Sequence, residues 1–263
     1  MGSPVAFALD FASVEEARAA AAEVAPAVGM IKVGLELFVN AGPSVVAIGR
    51  DVGLPVFLDL KLHDIPETVE RAVAQASHLG ARLITVHASG GRAMLRRSVE
   101  RAAKEGGSLA ICAVTILTSL DDADLDDIGI AVARRQAFHV PGEQHPAEEQ
   151  TPPERARTSL AAESLARLAY DEGVRWFVCS PAEVATLRQQ LGPDAVLVTP
   201  GVRPRAAERG DQKRVATPEQ AIRDGANWLV VGRPIRDAAD RLAAARAITN
   251  EAMAASSAAG RNS

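Results

Sequence analysis

The sequence predicts an α/β protein folded as a single (β/α)8, or TIM, barrel. Three observations carry that prediction. Short runs rich in Val, Ile and Leu alternate with Ala-, Arg- and Glu-rich runs of helical character, and eight such pairs can be read. The rhythm continues across most of 263 residues, 48% of them hydrophobic, which is enough for one domain with a large core. The polar residues that interrupt the apolar runs gather at their C-terminal ends, where barrels of this kind carry their sites.

The first strand is read at 5–9, ending before Asp10, and the first helix at 14–24. Ser13 with Glu16 three residues on is a capping-box signature for that helix. Asp10 taken alone is better read as starting a turn than as serving a site. The second strand, 30–34, carries Lys32 between Ile31 and Val33. A lysine on an edge strand would be solvated, but a closed barrel has no edge, so Lys32 is read as pointing inward. A helix is expected at 44–51.

The third strand, 55–60, is the most informative stretch, and its alternation runs on to Leu62. Val56, Leu58, Leu60 and Leu62 share one face; Phe57, Asp59 and Lys61 share the other. Strands of a parallel barrel are covered on both sides and are usually apolar on both. An acid and a base two residues apart on a covered face must pair or serve chemistry. A surface ion pair on an edge strand is the alternative, and the all-aliphatic opposite face argues against it. Asp64 and the helix-starting Pro66 follow, with the helix at 66–79.

The fourth strand, 83–87, ends in His87, which is equally suited to a structural hydrogen bond and to function. A helix at 93–104 leads to strand five at 109–115, with Thr118 beyond it. The stretch 131–158 then breaks the rhythm. It holds Arg134, Arg135 and four prolines among Glu and Gln, and is expected to be a long, partly disordered surface insertion. Regular alternation resumes with a helix at 160–171, a strand at 175–179 running into Ser180, a helix at 182–190 and a strand at 195–199. A helix at 218–223, a strand at 227–231 and a final helix at 237–254 complete the barrel, which therefore spans 1–255 with a flexible tail at 256–263.

Two late segments suggest a phosphate grip. Thr199-Pro200-Gly201-Val202-Arg203-Pro204 leaves strand seven for a long polar loop, and Gly232-Arg233 leaves strand eight. The loops after these two strands commonly hold a phosphate in such barrels. A glycine lets the backbone N–H approach an anion, and an arginine binds it bidentately.

Composition narrows the function further. A net charge of -4 argues against a general nucleic-acid binder, and 3% aromatic residues leave little for base stacking. Cys112 and Cys179 lie in apolar runs and are read as small core residues of a reducing compartment. No apolar run reaches membrane-spanning length and the N-terminus lacks a signal-peptide pattern, so a cytoplasmic protein is expected. His63, His78, His139 and His145 lack metal-ligand spacing, and no metal site is read.

Asp10, Lys32, the run Asp59-x-Lys61-x-x-Asp64 with Ile65-Pro66-x-Thr68, Val114-Thr115-Ile116-Leu117-Thr118-Ser119, Pro200-Gly201-Val202-Arg203-Pro204, Asp211-Gln212 and Val231-Gly232-Arg233-Pro234 together resemble the orotidine 5′-phosphate decarboxylase family. The likeness runs over about residues 5–235, and the central run with Lys32 upstream is its most specific part. The resemblance implies that the stretch 131–158 is lengthened relative to the bacterial members of that family. The resemblance implies conversion of orotidine 5′-phosphate to UMP and CO2, the last step of de novo UMP synthesis, without metal or organic cofactor. It implies a homodimer in which Lys32, Asp59 and Lys61 of one chain meet Asp64 of the other, with Lys61 as proton donor. Asp10 and Lys32 would hold the ribose hydroxyls, with Asp64 and Thr68 helping. Thr118 would lie near the pyrimidine. Gln212, Gly232 and Arg233 would bind phosphate, with Pro200 and Arg203 from the loop after strand seven. Magnesium-dependent sugar-phosphate lyases share the Asp-x-Lys-x-x-Asp core but carry an acid where this chain has Lys32; a carboxylate suits a hard cation and a lysine repels it. A barrel that only binds a nucleotide is the other alternative, and the intact Asp59, Lys61 and Asp64 speak against it.

Overall fold

The protein is described here by a computed structural model. Residues 2–130, 156–203 and 216–259 are described, the side chains only as far as 255. Gln212 and Asp211, most of the expected insertion (131–155), His139 and His145 lie outside the described residues.

Eight parallel strands close into a barrel in sequence order: β1 (Val5–Ala8), β2 (Met30–Val33), β3 (Val56–Leu62), β4 (Leu83–His87), β5 (Ala110–Val114), β6 (Trp176–Val178), β7 (Val196–Thr199) and β8 (Trp228–Val231), with β8 returning to β1. Around them run α1 (Val14–Val24), α2 (Leu35–Ala41), α3 (Ala47–Val52), α4 (Pro66–His78), α5 (Gly91–Lys104), α6 (Asp122–Asp127), α7 (Arg157–Asp171), α8 (Val184–Leu191), α9 (Pro218–Arg223), α10 (Arg233–Arg236) and α11 (Arg241–Ala259).

The period-two pattern of each strand divides its side chains between two cores. Val5, Phe7, Ile31, Val33, Leu58, Ile84, Val86, Leu197 and Leu229 face outward and pack under the helices. Ala6, Met30, Phe57, Leu83, Cys112 and Val198 face inward and fill the barrel. Each such Val, Leu, Ile or Phe, being almost wholly buried, contributes about 1.5–3 kcal/mol of transfer free energy. Cys112 and Cys179 are both buried free thiols, as small core residues should be; burial pushes the Cys179 thiol up to about 12.

The departures from the expected elements have local causes. α2 was not anticipated because only Leu37 of its seven residues is buried, while Leu35 and Val39 point to solvent, so no apolar stripe announces it. The expected helix at 44–51 is a 3-10 turn (Gly42–Val46) running into α3. α6 is a short acidic helix started by a complete Asp121–Asp124 capping box. α7 begins at Arg157, inside the stretch read as insertion. Its first N–H groups, on Arg157 and Thr158, donate to Asp122 at 3.0 and 2.9 Å, so its cap comes from a distant segment and leaves no mark beside the helix. The last expected helix does not start at Asp237. The chain turns there, and Asp240 accepts from the Ala243 N–H at 2.8 Å to start α11. α11 continues to Ala259, so the first residues of the expected flexible tail are helical. Ser13 caps α1 as anticipated, accepting from the Glu16 N–H at 3.3 Å, but the reciprocal half of the expected capping box does not form: the Ser13 hydroxyl donates to Glu15 instead.

One irregularity positions the site. Along β3 and β4 the pairs Leu58–Ile84 and Leu62–Val86 bracket three residues of β3 but one of β4, Thr85. Within that bulge Lys61 has φ +50°, the left-handed region that L side chains rarely adopt.

Candidate active site

The strands' C-terminal ends surround a cavity of about 480 Å³. That is within the range of about 300–1,000 Å³ usual for small-ligand sites. Phe57, Val114, Val178 and Val230 line its depth; Asp10, Lys32, Asp59 and Lys61 stand on one side; Thr118, Pro200, Arg203, Gly232 and Arg233 are also on the wall.

Each charged side chain is placed by its strand. Lys32 lies opposite Ala8 on β1 and Phe57 on β3, so its stem is walled in on both sides and the residue is 8% exposed. Its ammonium lies 3.1 Å from Asp10 Oδ1 and 3.6 Å from Asp59 Oδ2. Lys61 Nζ donates to both Asp59 oxygens, at 2.8 and 2.9 Å. The Thr85 hydroxyl donates to Asp59 Oδ1 at 3.0 Å. The result is a row Asp10–Lys32–Asp59–Lys61 of alternating sign. Burial pushes the Asp59 carboxyl up, but the Lys32 and Lys61 charges, with hydrogen bonds from Lys61 and Thr85, outweigh it and hold the pKa below the usual carboxylate range. A largely buried acid is thus kept ionised, and two ammonium groups are held at fixed points in a walled cavity.

Two glycines leave room for this row. A Cβ on Gly34 would lie 3.0 Å from Lys32 Nζ and 3.4 Å from Asp10 Oδ1. A Cβ on Gly232 would lie 3.4 Å from Asp10 Oδ2, on the wall that also carries Arg233. Arg236, which α10 directs back at the cavity, donates to the Asp10 carbonyl at 3.1 Å and to Asp237.

Nine of the residues singled out from sequence therefore meet in one cavity: Asp10, Lys32, Asp59, Lys61, Thr118, Pro200, Arg203, Gly232 and Arg233. Asp64 and Thr68 do not line it. Both are exposed where β3 turns into α4, and Asp64 Oδ1 accepts from the Ile65 N–H at 2.6 Å. Ser180 is fully buried and joins Glu183 in a capping box, a structural role. His87 is half-buried beside His63, their ring centroids 5.3 Å apart. Burial, then His63 and the Lys61 charge, lower its pKa against the opposing pull of Asp59. Thr85, Gly34 and Arg236 escaped sequence reasoning. Thr85 had a signal: it is the one polar residue within the run Leu83-Ile84-Thr85-Val86 of a strand covered on both faces. Among the described residues, no group of three or more His, Cys, Asp or Glu is placed to hold a metal ion, and no helix is long and apolar enough to cross a membrane.

Fold and site together define a (β/α)8 barrel with a walled, charge-alternating pocket for an anionic ligand. The family model described as the orotidine 5′-phosphate decarboxylase / HUMPS family matches residues 3–248, and the chain belongs to that family. It is 50% identical over 241 residues to the orotidine 5′-phosphate decarboxylase of Anaeromyxobacter sp. (strain K), covering 92% of this chain and 94% of the relative. It is 46% identical over 252 residues to the enzyme of the same name from Thermobifida fusca, covering 95% of this chain and 96% of that one. Among solved structures, the orotidine 5′-phosphate decarboxylase of Lactobacillus acidophilus superposes with a TM-score of 0.76 at 33% identity, over 95% of this chain and 99% of its own.

Proposed function

We infer that this protein decarboxylates orotidine 5′-phosphate to UMP and CO2, the closing step of de novo UMP synthesis. The observation that carries the reading is the Lys61 ammonium, turned into the barrel at the strands' C-terminal end and held by both oxygens of an ionised, largely buried Asp59. Family membership and relatives up to 50% identical over most of the chain support it.

The chemistry follows from the charges. Breaking the bond between C6 of the pyrimidine and its carboxylate releases CO2 and leaves the electron pair on C6. That carbanion is poorly delocalised by the ring. An ammonium already in place beside C6 accelerates the loss of CO2 because it stabilises the charge building on C6 more than it stabilises the bound substrate, in which C6 carries no such charge. In our reading Lys61 then delivers a proton from Nζ to C6, giving UMP, and is reprotonated from solvent. Asp59 keeps that ammonium aimed. It also meets the substrate carboxylate as a like charge, a repulsion that CO2 loss relieves. Asp10 and Lys32 hold the ribose hydroxyls, Thr118 lies against the pyrimidine, and Gly232 and Arg233, with Pro200, Arg203 and Gln212, take the phosphate. No step calls for a metal or an organic cofactor.

We further infer a cytoplasmic homodimer that shares its sites. Leu35, Val39 and Ile65 are 52%, 80% and 65% exposed, and they lie after β2 and β3, which are neighbours in the barrel. Large apolar side chains set so close on a surface mark a contact face. Asp64 and Thr68 stand beside Ile65, away from their own cavity, where they can reach the site of a second copy. The sugar-phosphate-lyase reading is disfavoured by Lys32: its ammonium bridges Asp10 and Asp59, the carboxylates a divalent cation would want.

The test is the ultraviolet absorbance of orotidine 5′-phosphate on mixing with the protein in EDTA. Decay is expected. A stable signal would defeat the decarboxylase reading and leave a nucleotide-binding barrel.

A further inference from the structure

We propose that Thr85 is a positioning residue for this reaction: its buried hydroxyl ties the Lys61 main chain to the Asp59 carboxylate and so sets where the ammonium stands. The proposal rests on the decarboxylase reading above and assigns a role to a residue that touches no part of the substrate.

The argument starts from the bulge. Residues 59–61 of β3 face Thr85 alone, so the regular ladder of N–H and C=O groups is interrupted there. Lys61, with φ +50°, sends its N–H to Thr85 Oγ1 at 2.7 Å instead of to a strand carbonyl. The same oxygen donates to Asp59 Oδ1 at 3.0 Å. An N–H can only donate and an ionised carboxylate can only accept, so the hydroxyl proton has one place to be, on the Asp59 side. Thr85 is 0% exposed and is β-branched, and its stiff χ1 transmits the direction of β4 to the hydroxyl.

One atom thereby governs both ends of Lys61. It holds the backbone in a sparsely populated conformation that persists only when the surroundings over-determine it. It also orients the carboxylate that receives Nζ at 2.8 and 2.9 Å. Asp59 Oδ1 accepts from Thr85 and from Lys61 Nζ at once, so the three groups form a closed ring: Lys61 N–H donates to Thr85, Thr85 donates to Asp59, and Lys61 Nζ donates to Asp59. Removing the hydroxyl leaves a buried N–H without an acceptor, which favours relaxation of Lys61 toward an ordinary strand conformation and displacement of its ammonium. The phosphate and ribose contacts stand on other strands and are not disturbed.

The experiment compares wild type with Thr85→Val, Thr85→Ala and Thr85→Ser. It reads kcat and KM for orotidine 5′-phosphate, and the affinities for UMP and for a UMP analogue bearing an anionic oxygen at C6. Thr85→Val and Thr85→Ala should lose about 10- to 100-fold in kcat, the scale of a catalytic group displaced by about 1 Å. KM and UMP affinity should stay within about threefold, because the lost interaction belongs to the transition state. Affinity for the anionic analogue should fall in step with kcat. Thr85→Ser, which keeps the hydroxyl, should stay within about threefold of wild type in all four readings.

A kcat for Thr85→Val within threefold of wild type overturns the proposal. So does a fall in UMP affinity as large as the fall in kcat, or a Thr85→Ser as impaired as Thr85→Val. Failure of both hydroxyl-free variants to bind UMP makes Thr85 a residue of the fold and overturns it too. Wild type in the same assay separates the two levels: an inactive wild type that binds UMP defeats the decarboxylase reading, while an active wild type with a fully active Thr85→Val defeats only the role of Thr85.

Discussion

Replacing Asp59 by Asn changes almost nothing in size and removes the charge at the centre of the row. At 2.8 Å from Lys61 Nζ and 3.6 Å from Lys32 Nζ, the carboxylate attracts the two ammonium groups. With an effective dielectric of about 20 the gross attractions are roughly 6 and 5 kcal/mol. The two lysines lose unequally. Lys32 keeps Asp10 at 3.1 Å. The hydrogen bonds of Lys61 Nζ among the described residues all go to Asp59, so Lys61 bears the loss. Breaking a buried pair costs about 3–5 kcal/mol, and because the Lys61 side chain is 31% exposed, water recovers part of it. About 2–4 kcal/mol then remains at the transition state, or roughly 30- to 1,000-fold in kcat. Substrate affinity should move the other way or not at all, since the like charge facing the substrate carboxylate is gone. The assay is steady-state depletion of orotidine 5′-phosphate by absorbance, with UMP affinity measured by competition. A kcat within threefold of wild type would refute the reasoning. A kcat loss with KM unchanged would leave positioning of Lys61 as the sole role of Asp59, whereas a KM that falls as kcat falls would show that ground-state repulsion contributes as well.

Lys61→Ala should abolish turnover while UMP still binds; more than a tenth of wild-type turnover would end its role as proton donor. Arg233→Ala should weaken binding of the phosphorylated nucleotide about tenfold or more and leave the bare nucleoside nearly unaffected, since a charge-assisted contact is worth roughly 1.5–3 kcal/mol; equal losses for both would remove it from the phosphate grip. His87, its pKa held down in the folded state by burial, His63 and the Lys61 charge, binds a proton less readily there than in the unfolded chain. Its contribution to stability is therefore constant above the unfolded value of about 6.5 and becomes destabilising as pH falls through it. His87→Gln should flatten the decline of Tm between about pH 7 and 5, and an unchanged decline would assign that slope to other groups. Finally, inactive Lys61→Ala and Asp64→Ala homodimers, mixed and allowed to exchange, should regain about a quarter of wild-type activity, because half the dimers become hetero and each has one intact site. No recovery despite exchange proven by mass spectrometry would keep Asp64 in its own barrel.

Much of the site was legible because strand periodicity is strict. Alternation along β3 put Asp59 and Lys61 on one face, and the absence of an edge in a closed barrel turned Lys32 inward; both readings hold in the structure. The same rule sent Asp64, past the strand end, out of the cavity. What stayed hidden depends on contacts distant in sequence. No residue pattern announces a lysine with positive φ, because it is the Thr85 hydroxyl from another strand that stabilises it. The start of α7 is equally silent, its cap being Asp122. α2 lacks an inward stripe because Leu35 and Val39 face away from their own barrel. Arg236 looks like any surface arginine until α10 brings it to the Asp10 carbonyl.

The layer of Ala6, Met30, Phe57, Leu83, Cys112 and Val198 beneath the charged row makes the site a blind well. A well has one mouth for all its traffic. The products of a nucleotide entering such a well leave the same way, past the wall that carries Arg233. In the arrangement proposed above, CO2 would be set free at the level of Asp59, with the pyrimidine of the new UMP between it and the exit. In that arrangement the smaller molecule would slip around the larger or wait for it, so the departure of a nucleotide held by its phosphate would govern when the well is empty for the next arrival. The proposed grip that brings the substrate in would thus be the same grip that delays the product, and loosening it would trade capture for clearance.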